Sequence, residues 1–330
     1  MQIRRIGIAL AAHQPRIDHL VEQLRSLTQQ TLTDWICVIP FDSPAAPVVS
    51  HPDVAAHLAD PRFLWRENDR RLGAAKNFER AIRVLVAEGI DAIACCDQDD
   101  RWHPEKLAIL ADALGAAGPL SVVHSDLDLF DDRGPLPGTA WQIERRRIDH
   151  VAPWQLLVRN VVTGCSMMLD AELAKRYPEV PPEARLHDRW FALAAACHGG
   201  VHPVARPLVS YRVHGAQDTG VAPYRGLLAA PPGVRGTPAF ARECVRVWRN
   251  ARDLARAATE RGMPLPPGDR ALILRADLGL TLALAGARRL TDDPVLARAA
   301  MGAGAGKLLA TVSRGAITPL RERTAVPPSS

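Results

Sequence analysis

The 330-residue sequence has no Cys-x-x-Cys pair among its six cysteines, and it has no apolar run near the roughly 20 residues that cross a bilayer. Most of the cysteines lie in apolar stretches such as Ala92–Cys96, so we expect buried thiols in a reducing compartment rather than zinc ligands or disulfides. The first apolar run, Ile6–Ala12, is too short for a secretory signal peptide and has the length of a buried strand. These absences exclude the disulfide-rich and membrane-spanning classes, and we expect a globular protein of the cytoplasm.

Charge is distributed unevenly along the chain. Residues 235–330 carry 16 Lys and Arg against 8 Asp and Glu, whereas the rest of the chain is mildly acidic. Five arginines of this basic region are spaced by three or four residues, as on one face of a helix: Arg242, Arg246, Arg249, Arg252 and Arg256. They form either a solvated face or a peripheral contact with anionic lipid at the inner face of a membrane. No aromatic-basic module accompanies them, so we expect no nucleic-acid partner.

Short apolar runs alternate with segments of helical periodicity from residue 3 to about residue 126. This alternation predicts right-handed βαβ units, and therefore an α/β fold with a mostly parallel sheet flanked by helices. The predicted strands are Ile3–Ala11, Trp35–Pro40, Phe63–Trp65, Ala92–Cys96 and Leu120–Val123, followed later by Val162–Leu169, Val201–Val204 and Leu208–Val213. The predicted helices include Ile17–Gln29, Val48–Leu58, Ala74–Glu88, one that Pro104 begins, and Asp188–His198.

Composition divides the chain into three parts. We assign residues 1–220 to one α/β domain and residues 221–238, rich in Pro and Gly, to a linker. Residues 239–330 form a basic C-terminal region with predicted helices at 239–260, 269–290 and 294–312.

Polar residues follow several predicted strands at the point where each strand ends: His13, Asp42, Asp97–Asp100 and Ser125–Asp126. In an open α/β sheet, ligands bind outside the carboxyl ends of the strands, so these residues predict one shared site. Three carboxylates crowd into Asp97–Asp100, and hard divalent ions such as Mg²⁺ or Mn²⁺ neutralise such clusters. The cluster therefore predicts a metal that holds a nucleotide diphosphate. The alternative is a solvated acidic turn before the following helix.

Five further segments occur in a fixed order: Asn68–Phe78, Cys96–Leu107, Asn160–Met168, His187–Trp190 and Tyr211–Gly215. Together they resemble the motifs of the family 2 inverting glycosyltransferases of GT-A fold, in particular the rhamnosyltransferase-like branch of surface polysaccharide synthesis. The resemblance covers roughly residues 3–220. Each motif alone is weak, and the signal lies in their order and spacing.

The resemblance implies a role for each matched residue. Asp97 and Asp99, with His214, face a metal and the diphosphate of the donor, and Asp100 is an alternative ligand. Asp188 is the general base that takes the proton of the acceptor hydroxyl. The implied donor pocket consists of Asp42, Lys76, Asn77, Asp97, Asp126 and Arg212, with Lys76 and Arg212 as cations for the diphosphate. His187 and Trp190, which flank Asp188, are predicted on the acceptor side.

The first two strand ends depart from the family pattern. Phe41–Pro44 has a single acid where the family has an acidic pair followed by Gly-Ser, and Ala11–Gln14 stands where Thr-Tyr-Asn is common. Asp42 is therefore either the base-binding aspartate or part of an ordinary turn. For Asp188 the alternative role is that of a helix N-cap. For three tryptophans the alternative role is ordinary packing: Trp102, Trp141 and Trp190.

These observations favour a metal-dependent inverting glycosyltransferase. It moves a sugar from a dTDP-rhamnose-like or UDP-sugar donor to a glycan or lipid-linked acceptor, in surface polysaccharide or glycoconjugate synthesis. A nucleotidyltransferase is the second hypothesis, but Ala11–Arg16 lacks the Gly-rich phosphate loop that it requires. The third is a scaffold that binds sugar nucleotides without turnover, which the altered strand ends allow. The sequence does not identify the donor sugar, the acceptor or the oligomeric state.

Overall fold

The structure is a computed structural model, and it describes residues 2–144, 148, 151–214 and 238–269. The chain divides into two compact units. The first comprises residues 1–156, 160–224 and 259–264, and it contains every strand of the sheet. The second comprises residues 157–159, 225–258 and 265–330.

Nine strands form one mixed sheet. They are β1 (Ile6–Leu10), β2 (Trp35–Phe41), β3 (Phe63–Glu67), β4 (Ala92–Cys96), β5 (Arg101–Trp102), β6 (Ser121–Asp131), β7 (Gly134–Thr139), β8 (Met167–Asp170) and β9 (Gly200–Arg212). Their order is β3-β2-β1-β4-β8-β6-β9-β5, and β7 pairs with β6. The first four strands are parallel to one another, whereas β8 is antiparallel to both β4 and β6. The insertion of β8 makes the sheet mixed rather than mostly parallel.

Ten α-helices are described along the chain. They are α1 (Ile17–Thr28), α2 (Ala46–Val49), α3 (Pro52–Leu58), α4 (Ala74–Ala87), α5 (Lys106–Ala117), α6 (Ala140–Glu144), α7 (Pro153–Val158), α8 (Ala171–Arg176), α9 (His187–Ala196) and α10 (Pro238–Glu260). Short 3₁₀ turns occupy Gly164–Ser166 and Pro182–Ala184. No helix among the described residues is long and apolar enough to cross a bilayer.

Helices pack on both faces of the parallel strands. On one face the side chains of Ile6, Ile8 and Leu10 join the core that α1 and α5 cover. On the other face α4 lies close to β1, because a Cβ on Gly7 would come within 2.7 Å of Leu85 Cδ2. Burial on both faces explains why β1 is apolar along its whole length. Each fully buried Leu or Ile contributes roughly 1.5–3 kcal/mol to folding.

The predicted α/β architecture is confirmed. The differences from prediction concern where helices and strands begin, end or are interrupted. The helix expected at Val48–Leu58 is two helices, because the residue before Pro52 avoids the helical conformation. The expected strands Val201–Val204 and Leu208–Val213 form the single strand β9, which shifts register against β6 between Ser125 and Leu127. Two prolines in β9 lie around this irregularity, where the ladder loses donors.

Two other segments were predicted in outline. The strand expected at Val162–Leu169 begins only at Met167, after a 3₁₀ turn, and the strand expected at Leu120–Val123 continues to Asp131. The helix expected at 239–260 is α10. The linker at 221–237 and the helices expected at 269–290 and 294–312 lie outside the described residues, apart from residue 269. The side chains of Arg242 and Arg246 also lie outside them, whereas Arg249 and Arg256 are exposed on α10.

Candidate active site

A cavity of about 290 Å³ lies in the first unit, at the carboxyl ends of β1, β2 and β4. Seven predicted site residues line it: Asp42, Asn77, Asp97, Asp99, His187, Asp188 and His214. Four predicted residues do not line it: Lys76, Asp126, Trp190 and Arg212. Parallel strands bring their carboxyl ends to one edge of the sheet, and this places residues from distant parts of the sequence around one space.

The acidic loop after β4 meets the end of β9. His214 Nε2 lies 2.8 Å from Asp99 Oδ2, and both side chains are partly buried. Strand β5, which follows the loop, pairs antiparallel with β9, and Trp102 lies opposite Val209. This pairing holds the segment after β9 beside the acidic loop, so Asp99 and His214 face the same cavity.

Asp97 lies in an environment that disfavours its charge. Burial, followed by the nearby carboxylates of Asp99 and Asp188, raises the pKa of Asp97 to about 7. A like charge at close range disfavours ionisation in a poorly solvated site, and a bound cation would relieve this. The influence of Asp188 on Asp97 also shows that the predicted base and the predicted metal ligand are electrostatic neighbours.

Asp100 and Arg212 stabilise the acidic loop without lining the cavity. Asp100 is fully buried, its Oδ1 accepts a hydrogen bond of 3.0 Å from the amide of Arg212, and burial raises its pKa well above the usual range. The Arg212 guanidinium donates to the carbonyl of Asp99 at 2.9 Å and to the carboxylate of Glu22. The role of Arg212 as a cation for the diphosphate stays a prediction; its side chain contacts protein groups and lies outside the cavity lining.

Lys106 is a buried cation that the sequence did not single out. Its ammonium is 3.1 Å from the centre of the Trp102 ring and donates to the carbonyl of Cys165 at 2.5 Å. Burial lowers the pKa of Lys106 to about 8. The available signal was its position four residues before Leu110, which places it on the buried face of α5. Its charge partly offsets that of the acidic loop, since it lowers the pKa of Asp97.

Asp42 holds the loop that follows β3. Its Oδ1 accepts hydrogen bonds from Asn68 (3.0 Å) and the amide of Leu72 (2.6 Å), and its Oδ2 accepts one from the amide of Gly73 (2.7 Å). Burial alone would raise its pKa, but these bonds to the charged form outweigh burial and lower it. Asn77 is similarly engaged, with its amide donating to the carbonyl of Pro40 at 2.9 Å. Both residues line the cavity while shaping its wall.

The first strand end contributes residues for which the resemblance gave no role. The amide of His13 donates to Gln98 Oε1 at 2.8 Å, and Gln98 Nε2 donates to the carbonyl of His13 at 3.2 Å. This reciprocal pair fixes the acidic loop to the end of β1. Arg71 and Tyr211 also line the cavity. Both lie in segments matched by the resemblance, Asn68–Phe78 and Tyr211–Gly215, and the available signal was membership of these motifs.

Asp188 lies at the first turn of α9 and borders the cavity. Its Oδ2 accepts a hydrogen bond of 3.1 Å from the amide of Gly164, and its Oδ1 accepts one of 2.6 Å from the amide of Arg189. Amide donors at a helix N-terminus favour a negative charge. Arg189 is itself buried and donates to the carbonyl of Leu156 at 2.9 Å, so it fixes the start of α9.

Three further predicted residues lie outside the cavity lining. Lys76 pairs with Glu79 at 2.6 Å and lines a neighbouring basic groove on α4, which shares Arg71 with the cavity. Asp126 accepts hydrogen bonds from the amides of Leu127 (2.8 Å) and Trp141 (3.0 Å), so it joins β6 to the start of α6. Trp190 is 0% exposed and therefore presents no face to a sugar. The indoles of Trp102 and Trp141 are also buried, which agrees with their alternative role in packing.

The chemistry of the side chains fits a divalent metal at the cavity. Asp97, Asp99 and His214 offer two carboxylates and an imidazole there. Within the described part of the chain, the one group of three potential ligands whose atoms lie within 4.8 Å of one another is Asp97, Asp100 and Cys165. Burial raises the pKa of Cys165 well above its usual value, so its sulfur is a protonated thiol and a poor ligand for a hard cation. The carboxylates are the better match for Mg²⁺ or Mn²⁺.

No protein-family model matches the chain, and no curated protein matches its sequence. Solved structures do match. The chain is similar to S. aureus TarS 1–349 in complex with UDP, with a TM-score of 0.52 at 15% identity over 90% of both chains. For the complex of TarS 1–349 with UDP-GlcNAc the TM-score is 0.53 at 13% identity, over 90% of this chain and 91% of that chain. For a longer TarS chain the TM-score is 0.52 at 13% identity, over 90% and 54%.

The chain has the fold of these structures. The predicted GT-A fold is thereby confirmed, although identities of 13–15% carry no information about family membership or substrate. Membership of family 2 and of its rhamnosyltransferase-like branch stays a prediction.

Proposed function

We propose that this protein is a metal-dependent inverting glycosyltransferase that takes a nucleotide-diphosphate sugar as its donor. The observation that carries the proposal is the shared cavity of Asp97, Asp99, His214 and Asp188. Such a reaction needs two parts: a site that binds a metal together with the diphosphate, and a carboxylate that accepts a proton. The fold supports it as well, since the similar structures of TarS were solved with UDP and UDP-GlcNAc.

In the proposed reaction, the Asp188 carboxylate accepts the proton of the acceptor hydroxyl. The hydroxyl oxygen forms a bond to the anomeric carbon of the donor from the face opposite the diphosphate, so the configuration inverts. The bond between the anomeric carbon and the diphosphate oxygen breaks, and the nucleoside diphosphate leaves with the electron pair. The amides of Gly164 and Arg189 hold Asp188 in place for this step.

Asp97 and Asp99, with His214, would hold a Mg²⁺ or Mn²⁺ ion at the diphosphate end of the cavity. When bound, the metal supplies Lewis-acid stabilisation of the charge on the departing diphosphate. We assign the nucleotide base to the side of the cavity where Asp42 and Asn77 lie. The acceptor is a glycan or a lipid-linked glycan, as in surface polysaccharide or glycoconjugate synthesis. The donor is a UDP-sugar or a dTDP-rhamnose-like sugar.

The proposal extends to the setting of the protein. We place the activity in the cytoplasm, with residues 1–220 as the catalytic domain, 221–238 as a linker and 239–330 as a basic accessory region. A peripheral contact of that region with the inner face of the membrane would bring a lipid-linked acceptor to the site. Co-sedimentation with anionic and neutral vesicles tests this part separately, because only electrostatic binding is lost in high salt.

The test is transfer and hydrolysis of UDP-, dTDP- and GDP-sugars with and without Mn²⁺. Asp188→Asn should retain donor binding while transfer falls by about 10²- to 10⁴-fold. Asp99→Ala should weaken binding of the nucleotide diphosphate itself. Asp60→Asn, which breaks an ion pair with Arg62 outside the cavity lining, is the matched control and should behave as wild type. A wild type that binds no nucleotide diphosphate in millimolar Mn²⁺ would refute the proposal.

The same experiment separates the two other functions. A scaffold would bind a sugar nucleotide but release no product across the donor panel. A nucleotidyltransferase would consume a nucleoside triphosphate and a sugar phosphate, and would release pyrophosphate. Neither is favoured by a particular contact in the described residues.

A further inference from the structure

His187 is a buried polar residue at the start of α9. It is 3% exposed, and its ring stacks on Phe78 with centroids 3.7 Å apart and an interplanar angle of 23°. Among the described residues neither of its ring nitrogens has a hydrogen-bond partner. Burial lowers the pKa of His187 to about 3, so the ring is neutral and carries one N–H donor and one acceptor.

The ring lies at the reacting end of the cavity. His187 begins α9 directly before Asp188, and both residues line the cavity together with Phe78. The neighbouring wall is formed by Gly164, where an added Cβ would lie 2.9 Å from His187 Nε2. Among the described residues no hydrogen bond fixes the ring, so a flip about its terminal torsion, which keeps the stacking on Phe78, can exchange the nitrogen that faces a ligand.

Packing alone does not explain a histidine at this position. A buried donor or acceptor without a partner destabilises the folded protein, whereas an apolar side chain of similar volume would fill the same space without that cost. Stacking on Phe78 requires only a flat ring. The unsatisfied polar edge is therefore the feature that needs a function, and buried polar groups that destabilise the free protein are common at binding sites.

We propose that His187 forms a subsite that hydrogen-bonds a hydroxyl of the transferred sugar. The inference rests on the proposed function, in which the transferred sugar lies between the metal end at Asp99 and the base at Asp188. His187 is adjacent to Asp188 in sequence and in the cavity wall, so the sugar passes within its reach. A site that pairs a buried polar group with a substrate hydroxyl rejects sugars that lack this hydroxyl or direct it elsewhere.

The experiment compares the affinity of free nucleotide with that of sugar nucleotide. Calorimetry in Mn²⁺ gives Kd values for UDP, UDP-glucose, UDP-galactose and UDP-GlcNAc, and for dTDP and dTDP-rhamnose. The ratio of the two Kd values for one nucleotide isolates what the sugar contributes. His187→Leu and His187→Phe remove the polar edge, and His187→Gln restores an amide near the position of Nε2. His124→Leu is the matched control, because His124 is fully buried against Trp141 and does not line the cavity.

We expect the sugar contribution to fall by about 3- to 10-fold in His187→Leu and His187→Phe, with the Kd of free nucleotide unchanged. His187→Gln should recover part of it, and His124→Leu should keep the wild-type ratio. The melting temperature provides an independent readout: it should stay equal or rise in His187→Leu, whereas a structural histidine would lower it.

Two results overturn the inference. One is a wild-type ratio in both His187→Leu and His187→Phe, and the other is a wild type for which the sugar adds nothing to nucleotide affinity. A wild type that binds no nucleotide would instead refute the proposed function, and the inference with it. The two failures are distinguished by the binding of free UDP and dTDP.

Discussion

His214 and Asp99, 115 residues apart in the chain, lie 2.8 Å from each other through Nε2 and Oδ2 at the edge of the cavity. The contact depends on the pairing of β5 with β9, which returns the end of β9 to the acidic loop. Two explanations account for it. The residues are either an ion pair that closes the loop or two ligands that share one cation, and the two explanations predict different mutational effects.

If they are ligands, His214→Gln and Asp99→Asn should each weaken Mn²⁺ binding by about tenfold or more. Isothermal titration of the nucleotide-free protein with Mn²⁺ measures the effect. The matched control is His103→Gln, because His103 also faces a carboxylate, Asp128, at 3.3 Å, but lies outside the cavity lining. Unchanged Mn²⁺ affinity in His214→Gln, with only a change in stability, would support the ion pair instead.

Asp97 gives the protein a pH dependence of stability. A carboxyl whose pKa is raised from 3.8 to about 7 by folding favours the folded state in its protonated form. Its contribution is fully present below about pH 4 and is lost as the pH rises through about 7. Metal-free protein should therefore lose stability over this interval, and Asp97→Asn should be more stable than wild type at about pH 8, on the order of 2 kcal/mol.

Urea unfolding in a chelator, from about pH 4 to about pH 8, measures this dependence. Asp112→Asn, an exposed position on α5, is the control and should follow the wild-type curve. Because a cation competes with the proton for the same carboxylate, Mn²⁺ should raise the melting temperature more at about pH 8 than at about pH 5. If Mn²⁺ raised the melting temperature equally at both pH values, Asp97 would not be a ligand of the metal.

The sequence was sufficient to predict the fold and the edge of the sheet at which the site lies. Asp42, Asp97 and Asp99 follow strands that parallel βαβ units bring together, so a local pattern predicted a tertiary neighbourhood. The insertion of β8 between β4 and β6 was beyond such reasoning. Which strands become neighbours depends on long-range packing, and a four-residue strand carries little pattern of its own.

Side-chain direction explains which of the predicted residues lie outside the cavity lining. Trp190 was placed near Asp188 because they are two residues apart, but residues at that spacing on a helix point to different sides. Lys76 and Asn77 are adjacent on α4, and only Asn77 faces the cavity. On β9 successive side chains alternate, so Tyr211 lines the cavity while Arg212 points away from it. Motif matching located these segments correctly but did not resolve their faces.

Arg212 should be a determinant of stability rather than of diphosphate binding. Its side chain is 6% exposed, meets the carboxylate of Glu22 and donates to the carbonyl of Asp99, so its loss removes several buried polar contacts at once. Arg212→Met should lower the free energy of unfolding by about 3 kcal/mol. Arg101→Met is a close control: Arg101 pairs with the same Glu22 at 2.9 Å but is 48% exposed, and its loss should cost less than about 1 kcal/mol.

Urea denaturation of both variants provides the comparison. Equal losses for Arg212→Met and Arg101→Met would mean that burial does not distinguish the two ion pairs. UDP binding adds a second readout. A large loss of UDP affinity in a folded Arg212→Met protein would restore the diphosphate role that the geometry argues against.

Gly164 links the base and the proposed sugar subsite, and its substitution tests whether their geometry matters. Its amide donates to Asp188 Oδ2 at 3.1 Å, and an added Cβ would lie 2.9 Å from His187 Nε2. Gly164→Ala must displace the His187 ring or the turn itself, at a stability cost of about 1–3 kcal/mol. Because the same movement disturbs Asp188, we expect the transfer rate to fall by about 10- to 100-fold, with UDP affinity little changed.

Gly268→Ala is the matched control, because a Cβ at Gly268 would meet no atom of the described residues within 4 Å. Single-turnover transfer, UDP calorimetry and urea unfolding are measured on both variants and wild type. A Gly164→Ala protein with wild-type stability and rate would mean that the ring yields freely and that Asp188 does not depend on this amide. A lower rate with the UDP affinity retained would locate the fault at the reacting end of the cavity, since the nucleotide end is then intact.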